Sequence, residues 1–234
     1  MQDTVVLVTG ASKGIGLEVA RQLARRGATV LVSARDPERA ESAAAAAAAD
    51  GGDVRPLAVG LDVADGASVR AAAAALERGP GRLDVLVNNA AAYVDWTETA
   101  SAADLGAAET VVQTNLFGAW RVTRALLPLL RRSPHPRVVN VSSGSGSLAE
   151  MGAGTPAYSV SKAALNALTR ILAAELRPDR VLVNAVCPGW VATDMGGAGG
   201  RPVADGAASV TWAVLLDDDG PTGGFFRDGR PVAW

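Results

Sequence analysis

The chain has 234 residues with 22 basic and 24 acidic side chains, and this formal net charge of −2 offers no basic surface for nucleic acid or an acidic membrane. A single cysteine excludes an intrachain disulfide framework and a multi-cysteine zinc site, and we expect no metal centre. The apolar run at residues 5–8 is far too short for a signal peptide or a spanning helix. We therefore expect a cytoplasmic protein with no membrane or nucleic-acid partner.

Short β-branched runs alternate with longer helical patterns along the chain, which is typical of parallel βαβ units. The predicted strands cover residues 4–9, 30–33, 54–61, 84–88, 138–142, 181–186 and 224–227. The predicted helices cover residues 15–26, 37–49, 66–78, 108–132, 158–176 and 203–216, with Asp36 and Asp65 as N-caps. This pattern predicts one α/β domain over residues 1–234: a doubly wound, Rossmann-type parallel sheet with helices on both faces.

A glycine-rich loop with the sequence TGASKGIG occupies residues 9–16, between the first predicted strand and helix. Gly10 would allow a tight turn, Gly14 would let the backbone approach a pyrophosphate, and Gly16 would let the helix pack closely on the strand. The spacing is neither the usual G-x-G-x-x-G fingerprint nor a P-loop. Its position between strand and helix predicts a site for the phosphates of a dinucleotide.

Tyr158 and Lys162 lie four residues apart at the start of a predicted helix, so their side chains share one face. A phenol with a pKa of ~10 is a poor acid or base at neutral pH, and a nearby ammonium favours the phenolate and lowers that pKa. Lysine suits this task because it is a compact point charge, whereas arginine presents a planar fork. Only two of the 22 basic residues are lysine, so we interpret Lys162 as a functional residue.

The order of these motifs resembles the short-chain dehydrogenase/reductase family over essentially the whole chain. The matching positions are the T-G-x-x-x-G-x-G loop, Asp62-Val63, Asn88-Asn89-Ala90, Asn115, Ser142-Ser143, Tyr158-x-x-x-Lys162 and Pro188-Gly189. Within the family, the NAVCPGWV stretch at residues 184–191 and Trp234 are similar to the carbonyl reductases.

The resemblance implies an NADPH-dependent reduction of a ketone or aldehyde, in which Tyr158 protonates the carbonyl oxygen as hydride reaches the carbon. Lys162 would lower the pKa of Tyr158 and bind the nicotinamide ribose. Ser143 would hold the carbonyl oxygen, and Asn115 would keep a water and Lys162 in place. Ser145 remains an alternative to Ser143, because it would restore the commoner family spacing to the tyrosine.

The resemblance places the residue that discriminates between coenzymes at the end of the second strand, where this chain has Ala34 rather than an acid. Arg35 follows it and Lys13 lies in the glycine loop, and these two cations favour NADPH over NADH. Asp36 is contrary evidence, which its role as an N-cap explains. The other coenzyme contacts that the resemblance implies are Gly10, Ser12, Gly14, Ile15, Gly16, Asp62, Val63, Asn89, Tyr158, Lys162, Val191 and Thr193.

The glycine-rich segment 189–202 suggests a flexible loop, and our hypothesis is a lid over the substrate. Loops at the carboxyl ends of the strands would supply a substrate wall from Tyr93, Trp96, Met151, Trp190 and Met195. We expect Cys187 to be a small core residue and His135 to have no catalytic role.

Three other interpretations stay open at this point. The chain could be an alcohol dehydrogenase, a β-ketoacyl reductase that acts on a carrier-bound substrate, or a non-catalytic sensor of NADP(H). A homodimer or homotetramer through the predicted helices at 108–132 and 158–176 also stays open.

Overall fold

The computed structural model describes residues 1–93 and 98–234. In chain order its strands are β1 Val5–Val8, β2 Thr29–Val32, β3 Asp53–Pro56, β4 Val85–Asn88, β5 Arg137–Val141, β6 Leu182–Val186, β7 Phe225–Arg227 and β8 Arg230–Pro231. These strands form one sheet in the order β3-β2-β1-β4-β5-β6-β7-β8. All neighbouring pairs are parallel except β7 and β8, which are antiparallel. The predicted fold class is confirmed, and the direction of winding reverses between β1 and β4.

The helices that connect these strands are α1 Gly14–Ala24, α2 Pro37–Ala48, α3 Gly66–Arg78, α4 Leu105–Val112, α5 Ala119–Leu130, α6 Pro156–Glu175 and α7 Val203–Val214. A π-helical segment, Gln113–Gly118, joins α4 to α5, and a 3₁₀ turn, Gly144–Gly146, follows β5. Two predicted N-caps are confirmed: the Asp36 carboxylate accepts a hydrogen bond from the Glu38 backbone, and the Asp65 carboxylate accepts from the backbone N–H groups of Ala67 and Ser68.

Two apolar layers hold the helices on the sheet, one on each face. In β1, Val6 and Val8 point into the layer that α1, α2 and α7 cover, while Leu7 points into the layer under α3, α5 and α6. The alternation follows from the two-residue side-chain period of a strand, so a strand buried on both faces is apolar throughout. This packing brings the carboxyl ends of the central strands to one edge of the sheet.

The structure corrects two of the predicted elements and adds one strand. The third strand ends at Pro56 rather than at residue 61, because its partner β2 ends at Val32 in the paired register. The helix predicted over 108–132 is interrupted by the π-helical segment and begins earlier, after Asp104, whose carboxylate accepts from the N–H groups of Gly106 and Ala107. The short strand β8 was not predicted.

Candidate active site

The glycine loop takes the backbone conformations that its glycines permit. Gly10 and Gly14 have φ angles of +61° and +59°, in the left-handed region that side chains disfavour. A β-carbon at Gly10 would lie 2.8 Å from the Cα of Ala90, and one at Gly16 would lie 2.4 Å from the Asn89 amide nitrogen. Gly16 therefore permits the close approach of α1, and its nearest neighbour is the loop after β4 rather than the first strand that we predicted.

Asn89 ties the glycine loop to the carboxyl end of β4. Its side-chain nitrogen donates to the carbonyl oxygens of Thr9 and Gly10 at 2.9 and 3.0 Å. The Thr9 hydroxyl in turn accepts hydrogen bonds from the backbone N–H groups of Asn89 and Ala90. Where the resemblance implied a coenzyme contact for Asn89, the structure gives its amide nitrogen a role in holding the loop.

The N-terminus of α1 fits an anionic ligand. Its N-cap residue, Lys13, makes no side-chain cap, and its first turn carries no acidic residue. The first amide donors of a helix lack intrahelical partners and carry the positive end of the dipole, so they are suited to a phosphate. Ile15 lies in this first turn and is partly buried.

A cavity of about 520 Å³ opens beside the glycine loop. Its wall includes Ser12 and Lys13 from the loop, and Asp36, Arg39 and Ser42 from the start of α2. The Asp36 carboxylate is occupied, because it caps α2 and lies 3.7 Å from the Arg39 guanidinium. The wall therefore carries two cations and two hydroxyls beside two acids, Asp36 and Glu38, and its cations and hydroxyls are groups that can bind a phosphate. Arg35 is exposed nearby in sequence, between β2 and α2.

Lys13 also has a partner that the sequence did not indicate. Its ammonium lies 2.5 Å from the carboxylate of Asp194, and both side chains are largely exposed. The two residues are 181 positions apart, so the pair joins the glycine loop to the segment after β6. This pairing lowers the pKa of Asp194, mainly through the hydrogen bond from Lys13.

Tyr158, Lys162 and Ser143 come together as predicted. Tyr158 and Lys162 lie one turn apart near the start of α6, with the ammonium 5.5 Å from the centre of the tyrosine ring. The Ser143 hydroxyl forms a hydrogen bond with Tyr158. The Lys162 ammonium is buried and donates to the Val141 carbonyl at 2.7 Å. Ser145 contacts Ser143 through its backbone N–H, so the geometry favours Ser143 as the partner of Tyr158.

The pKa values of this cluster differ from our expectation for the tyrosine. Burial raises the pKa of Tyr158 to about 12, although the hydrogen bond from Ser143 opposes the rise. Burial likewise lowers the pKa of Lys162 to about 8. The net pKa of Tyr158 therefore rises, because removing the phenol from water disfavours its charged form, and the lowering of that pKa by Lys162 stays a prediction.

Asn115 acts on the cluster through Ser161 rather than by direct contact. Its amide nitrogen donates to the Ala92 carbonyl and to the Ser161 hydroxyl, both at 2.9 Å, and its carbonyl oxygen accepts from the Ala92 N–H at 2.8 Å. Ser161 then donates to the Tyr158 carbonyl at 2.7 Å. Asn115 is buried in the π-helical segment, a type of interruption that often occurs at functional sites.

Asp62 and Val63, which the resemblance assigns to the adenine, follow β3 with their side chains in contact with protein. Asp62 accepts from the Ala64 N–H at 2.9 Å and so closes its own turn. Val63 is buried, and a β-carbon at Gly118 would lie 2.7 Å from its methyl group. Val63 therefore packs directly on the junction of the π-helical segment and α5.

The segment after β6 is a loop closed by hydrogen bonds. The Arg201 N–H donates to the Trp190 carbonyl and the Ala192 N–H donates to the Arg201 carbonyl, at 2.8 and 2.9 Å. Val191 is buried, with its methyl groups against Gly206 of α7, and the Thr193 hydroxyl accepts from the backbone of residue 196 at 3.1 Å. These contacts hold the two predicted carboxamide-binding positions, Val191 and Thr193, in a defined loop.

The five residues predicted for a substrate wall are only partly accounted for. Trp190 is 66% exposed, and its indole N–H donates to the Gly196 carbonyl at 2.7 Å. Met151 is exposed, while Tyr93 and Met195 are partly buried. Trp96 lies outside the described residues.

The residues that sequence reasoning missed are of two kinds. Thr9 and Ser161 are adjacent to predicted residues, and a side-chain hydroxyl next to a glycine loop or a catalytic pair is a usable signal. Asp194 meets Lys13, and Arg39 lines the cavity beside the glycine loop, because the fold brings these segments together, so no local pattern indicates them. In the described parts of the chain, no helix is long and apolar enough to cross a membrane, and no group of three His, Cys, Asp or Glu side chains could hold a metal.

Comparisons with known proteins agree with this geometry. The family model described as short chain dehydrogenase matches residues 4–201. Carbonyl reductase (NADPH) 1 of Bos taurus is 35% identical over an alignment that covers 99% of each chain. A carbonyl reductase from chicken fatty liver, solved with NADPH bound, is 29% identical and superposes with a TM-score of 0.89 over 100% of each chain. A short-chain dehydrogenase of Shigella flexneri 2a, solved with NADP, is 28% identical and superposes with a TM-score of 0.87 over 98% of each. The chain therefore belongs to the short-chain dehydrogenase/reductase family and is similar to its carbonyl reductases.

Proposed function

We propose that this chain reduces a ketone or aldehyde to an alcohol with NADPH, and that Tyr158 donates the proton to the carbonyl oxygen. Because the chain belongs to this family and is similar to the carbonyl reductases, it is an NADP-dependent oxidoreductase that acts on carbonyl or alcohol groups. The observation that carries the assignment of roles is the cluster in which the Ser143 hydroxyl bonds Tyr158 and the buried Lys162 ammonium lies 5.5 Å from the tyrosine ring.

The residues around the glycine loop suit the coenzyme. When bound, NADPH supplies the hydride. Gly10 and Gly14 would let the backbone and the α1 N-terminus meet the pyrophosphate. Lys13 and Arg35 would bind the phosphate on the adenosine ribose, and the cavity wall adds Arg39 to these cations. Asp62, Val63, Val191 and Thr193 keep their proposed places along the adenine and the carboxamide.

The raised pKa of Tyr158 supports a donor role. With a pKa of about 12, the phenol carries its proton at neutral pH and can give it to an oxygen that becomes an alkoxide. Ser143 would hold that oxygen beside the phenol. Lys162 would stabilise the phenolate left after proton transfer and bind the nicotinamide ribose, with Asn115 supporting both through Ser161.

The same site bears on the alternatives. Oxidation of an alcohol would use the same residues in reverse, with the Tyr158 phenolate as the base, so the direction depends on the coenzyme and substrate supplied. A sensor of NADP(H) would have no use for a phenol hydrogen-bonded to Ser143. A β-ketoacyl reductase uses the same chemistry on a carrier-bound substrate and differs in substrate class alone.

We also propose that loop 189–202 closes over the substrate, since it carries Trp190 and is joined to the glycine loop by the pair of Lys13 and Asp194. A reducing compartment such as the cytoplasm suits a chain whose single cysteine is a free, buried thiol.

A homodimer is the assembly that we propose. Phe117 and Trp120 stack at 6.3 Å between ring centroids and are exposed, and Ile171 of α6 is exposed as well. Exposed apolar side chains of this kind, with the Arg121 guanidinium over the Phe117 ring, favour packing against a second copy of the chain. Sedimentation velocity tests it: we expect a dimer that Trp120→Glu converts to a monomer, and a monomeric wild type would contradict it.

The proposed function is tested by following NADPH and NADH consumption with a panel of ketones, aldehydes and carrier-linked β-ketoacyl thioesters. We expect turnover with NADPH on simple carbonyl compounds and a lower kcat/KM with NADH. Turnover confined to the thioesters would replace our substrate class, and a preference for NADH that persists in Arg35→Ala would overturn the coenzyme assignment.

A further inference from the structure

The sulfur of Cys187 receives more hydrogen bonds than a small core residue needs. Cys187 is the residue after β6, is 2% exposed, and is the only cysteine in the chain. Its Sγ accepts from the backbone N–H groups of Gly144 at 3.1 Å and Gly189 at 3.4 Å. The Arg227 guanidinium adds two more, from Nε at 3.3 Å and Nη2 at 3.2 Å.

These donors belong to three separate segments at the same edge of the sheet. Gly144 directly follows Ser143, whose hydroxyl bonds Tyr158. Gly189 belongs to the Pro-Gly turn that begins loop 189–202, and Arg227 is the last residue of β7. One buried sulfur therefore joins the serine loop, the start of the proposed lid and an outer strand.

The Arg227 guanidinium is held by the sulfur of Cys187 rather than by a carboxylate. Its side chain is partly buried, and in the described parts of the chain no carboxylate lies within 4.0 Å of its guanidinium. Its hydrogen bonds end on Cys187. Sulfur is a weak acceptor when it is a thiol, so two guanidinium bonds directed at it indicate a structural purpose at this position.

The backbone next to Ser143 is shaped to admit the guanidinium. A β-carbon at Gly144 would lie 2.6 Å from Nη2 of Arg227. The absence of a side chain at Gly144 thus lets the arginine reach the sulfur while the Gly144 N–H reaches it from the other side.

We infer that Arg227 and Cys187 are positioning residues that fix the Ser143–Gly144 backbone, and so fix where the Ser143 hydroxyl meets Tyr158. This inference rests on the proposed function for its catalytic consequence. The two residues act through the backbone amide of Gly144 and not on the substrate. Misplacing a catalytic hydroxyl by about 1 Å can cost roughly a hundredfold in rate, so loss of this support should appear in turnover.

The test compares Cys187→Ala with Cys187→Ser, and Arg227→Gln with Arg230→Gln. Serine keeps an acceptor for the Gly144 N–H and the guanidinium, whereas alanine removes it. Arg230 is an exposed residue of β8 and serves as the matched control. Gly144→Ala tests the arrangement from the other side, since its methyl group displaces the guanidinium without altering either partner.

We expect kcat for the best carbonyl substrate to fall by about tenfold in Cys187→Ala and Arg227→Gln, with the KM for NADPH and the Tm close to wild type. Cys187→Ser should recover most of the loss, Gly144→Ala should resemble Arg227→Gln, and Arg230→Gln should match wild type. The inference would be overturned by a fall in Tm with kcat unchanged, or by a kcat of Cys187→Ser no higher than that of Cys187→Ala. Either result would mean that these contacts only stabilise the fold.

A second measurement does not depend on turnover. Amide hydrogen exchange at Gly144 should accelerate about tenfold in Cys187→Ala, because the bond to the sulfur is lost, while Gly220 in a distant turn should be unaffected. If the wild type binds NADPH but reduces no carbonyl compound, the proposed function fails, and the exchange at Gly144 still decides the positioning role. Unchanged exchange would overturn that role.

Discussion

Lys13 and Lys162, the only two lysines in the chain, occupy opposite environments. The Lys13 ammonium is largely exposed beside Asp194, whereas the Lys162 ammonium is buried and bonded to the Val141 carbonyl. An exposed cation that binds phosphate can be replaced by another cation. A buried point charge in a closed site cannot accept a planar, larger guanidinium.

Replacing each lysine by arginine should therefore have a small effect at position 13 and a large effect at position 162. We expect Lys13→Arg to keep its affinity for NADPH within about threefold, because charge is what this position supplies. Lys162→Arg should lower kcat by at least about a hundredfold, since the guanidinium displaces Tyr158 or the ribose. Fluorescence titration of NADPH and steady-state kinetics measure the two effects. Similar activity in both variants would contradict the roles given to the lysines.

The pair of Lys13 and Asp194 gives a second prediction. If the phosphate of NADPH competes with Asp194 for Lys13, Asp194→Asn should tighten NADPH binding by up to about fivefold, as expected for an exposed ion pair. Binding of NADH, which lacks that phosphate, should stay the same. Weaker binding of both coenzymes would instead mean that the pair holds the loop in place.

For single residues, the type and spacing of side chains predict which ones belong to the site. They do not predict which distant residues those side chains contact. Tyr158 and Lys162 could be predicted to meet because tyrosine and lysine are rare in this chain and the two residues share one helix turn, whereas Ser143 followed from the family resemblance. The pKa of Tyr158 could not be predicted, because burial depends on how α6 packs against the end of β5. The partner of Lys13 is 181 residues away, so only the fold brings it near.

Among the elements, the interruption between α4 and α5 departs furthest from its prediction. Residues 108–132 carry apolar side chains along most of their length, and five of these are leucine, so the sequence predicts one helix. The π-helical segment coincides with the three side-chain bonds from Asn115 to Ala92 and Ser161. These bonds join distant segments and leave no trace in the local period. The N-caps Asp36 and Asp65, in contrast, could be predicted, because an N-cap is recognised from the cap residue and the first turn that follows it.

We expect Asn115→Ala to lower the free energy of unfolding by about 2 kcal/mol, because it removes the partner of both partly buried backbone groups of Ala92 and one bond to the buried Ser161 hydroxyl. It should also lower kcat, since Ser161 supports the Tyr158 backbone. Thr114→Ala in the same segment is the control, because the Thr114 hydroxyl donates to the Thr110 carbonyl of its own helix. Urea unfolding and kinetics measure both effects, and an Asn115→Ala enzyme with normal kcat would contradict the supporting role.

For the whole molecule, the sequence predicts the doubly wound sheet because alternating strand and helix patterns have few right-handed arrangements. The sequence does not predict how much the buried Lys162 ammonium lowers the free energy of unfolding. The pKa of Lys162 falls from 10.5 to about 8 on folding because burial disfavours the ammonium. The unfolded chain therefore binds more protons than the native state between these values, and stability rises with pH in that window.

This linkage is measurable. Between pH 8 and 10 we expect the contribution of Lys162 to raise the free energy of unfolding by about 2 kcal/mol. Lys162→Met, which fills the same space without a charge, should lack this rise. Comparing urea unfolding of the two proteins across the window removes the other titrating groups from the difference. Parallel curves would mean that Lys162 is not buried as an ammonium.

The measurement that tests the central claim most directly is the turnover and coenzyme binding of Tyr158→Phe. If Tyr158 donates the proton, removal of one hydroxyl should lower kcat with NADPH and the best carbonyl substrate by about 100- to 10,000-fold, while the Kd for NADPH changes little. A Tyr158→Phe enzyme that keeps kcat within about tenfold of wild type would contradict the account, because the general acid would then lie elsewhere.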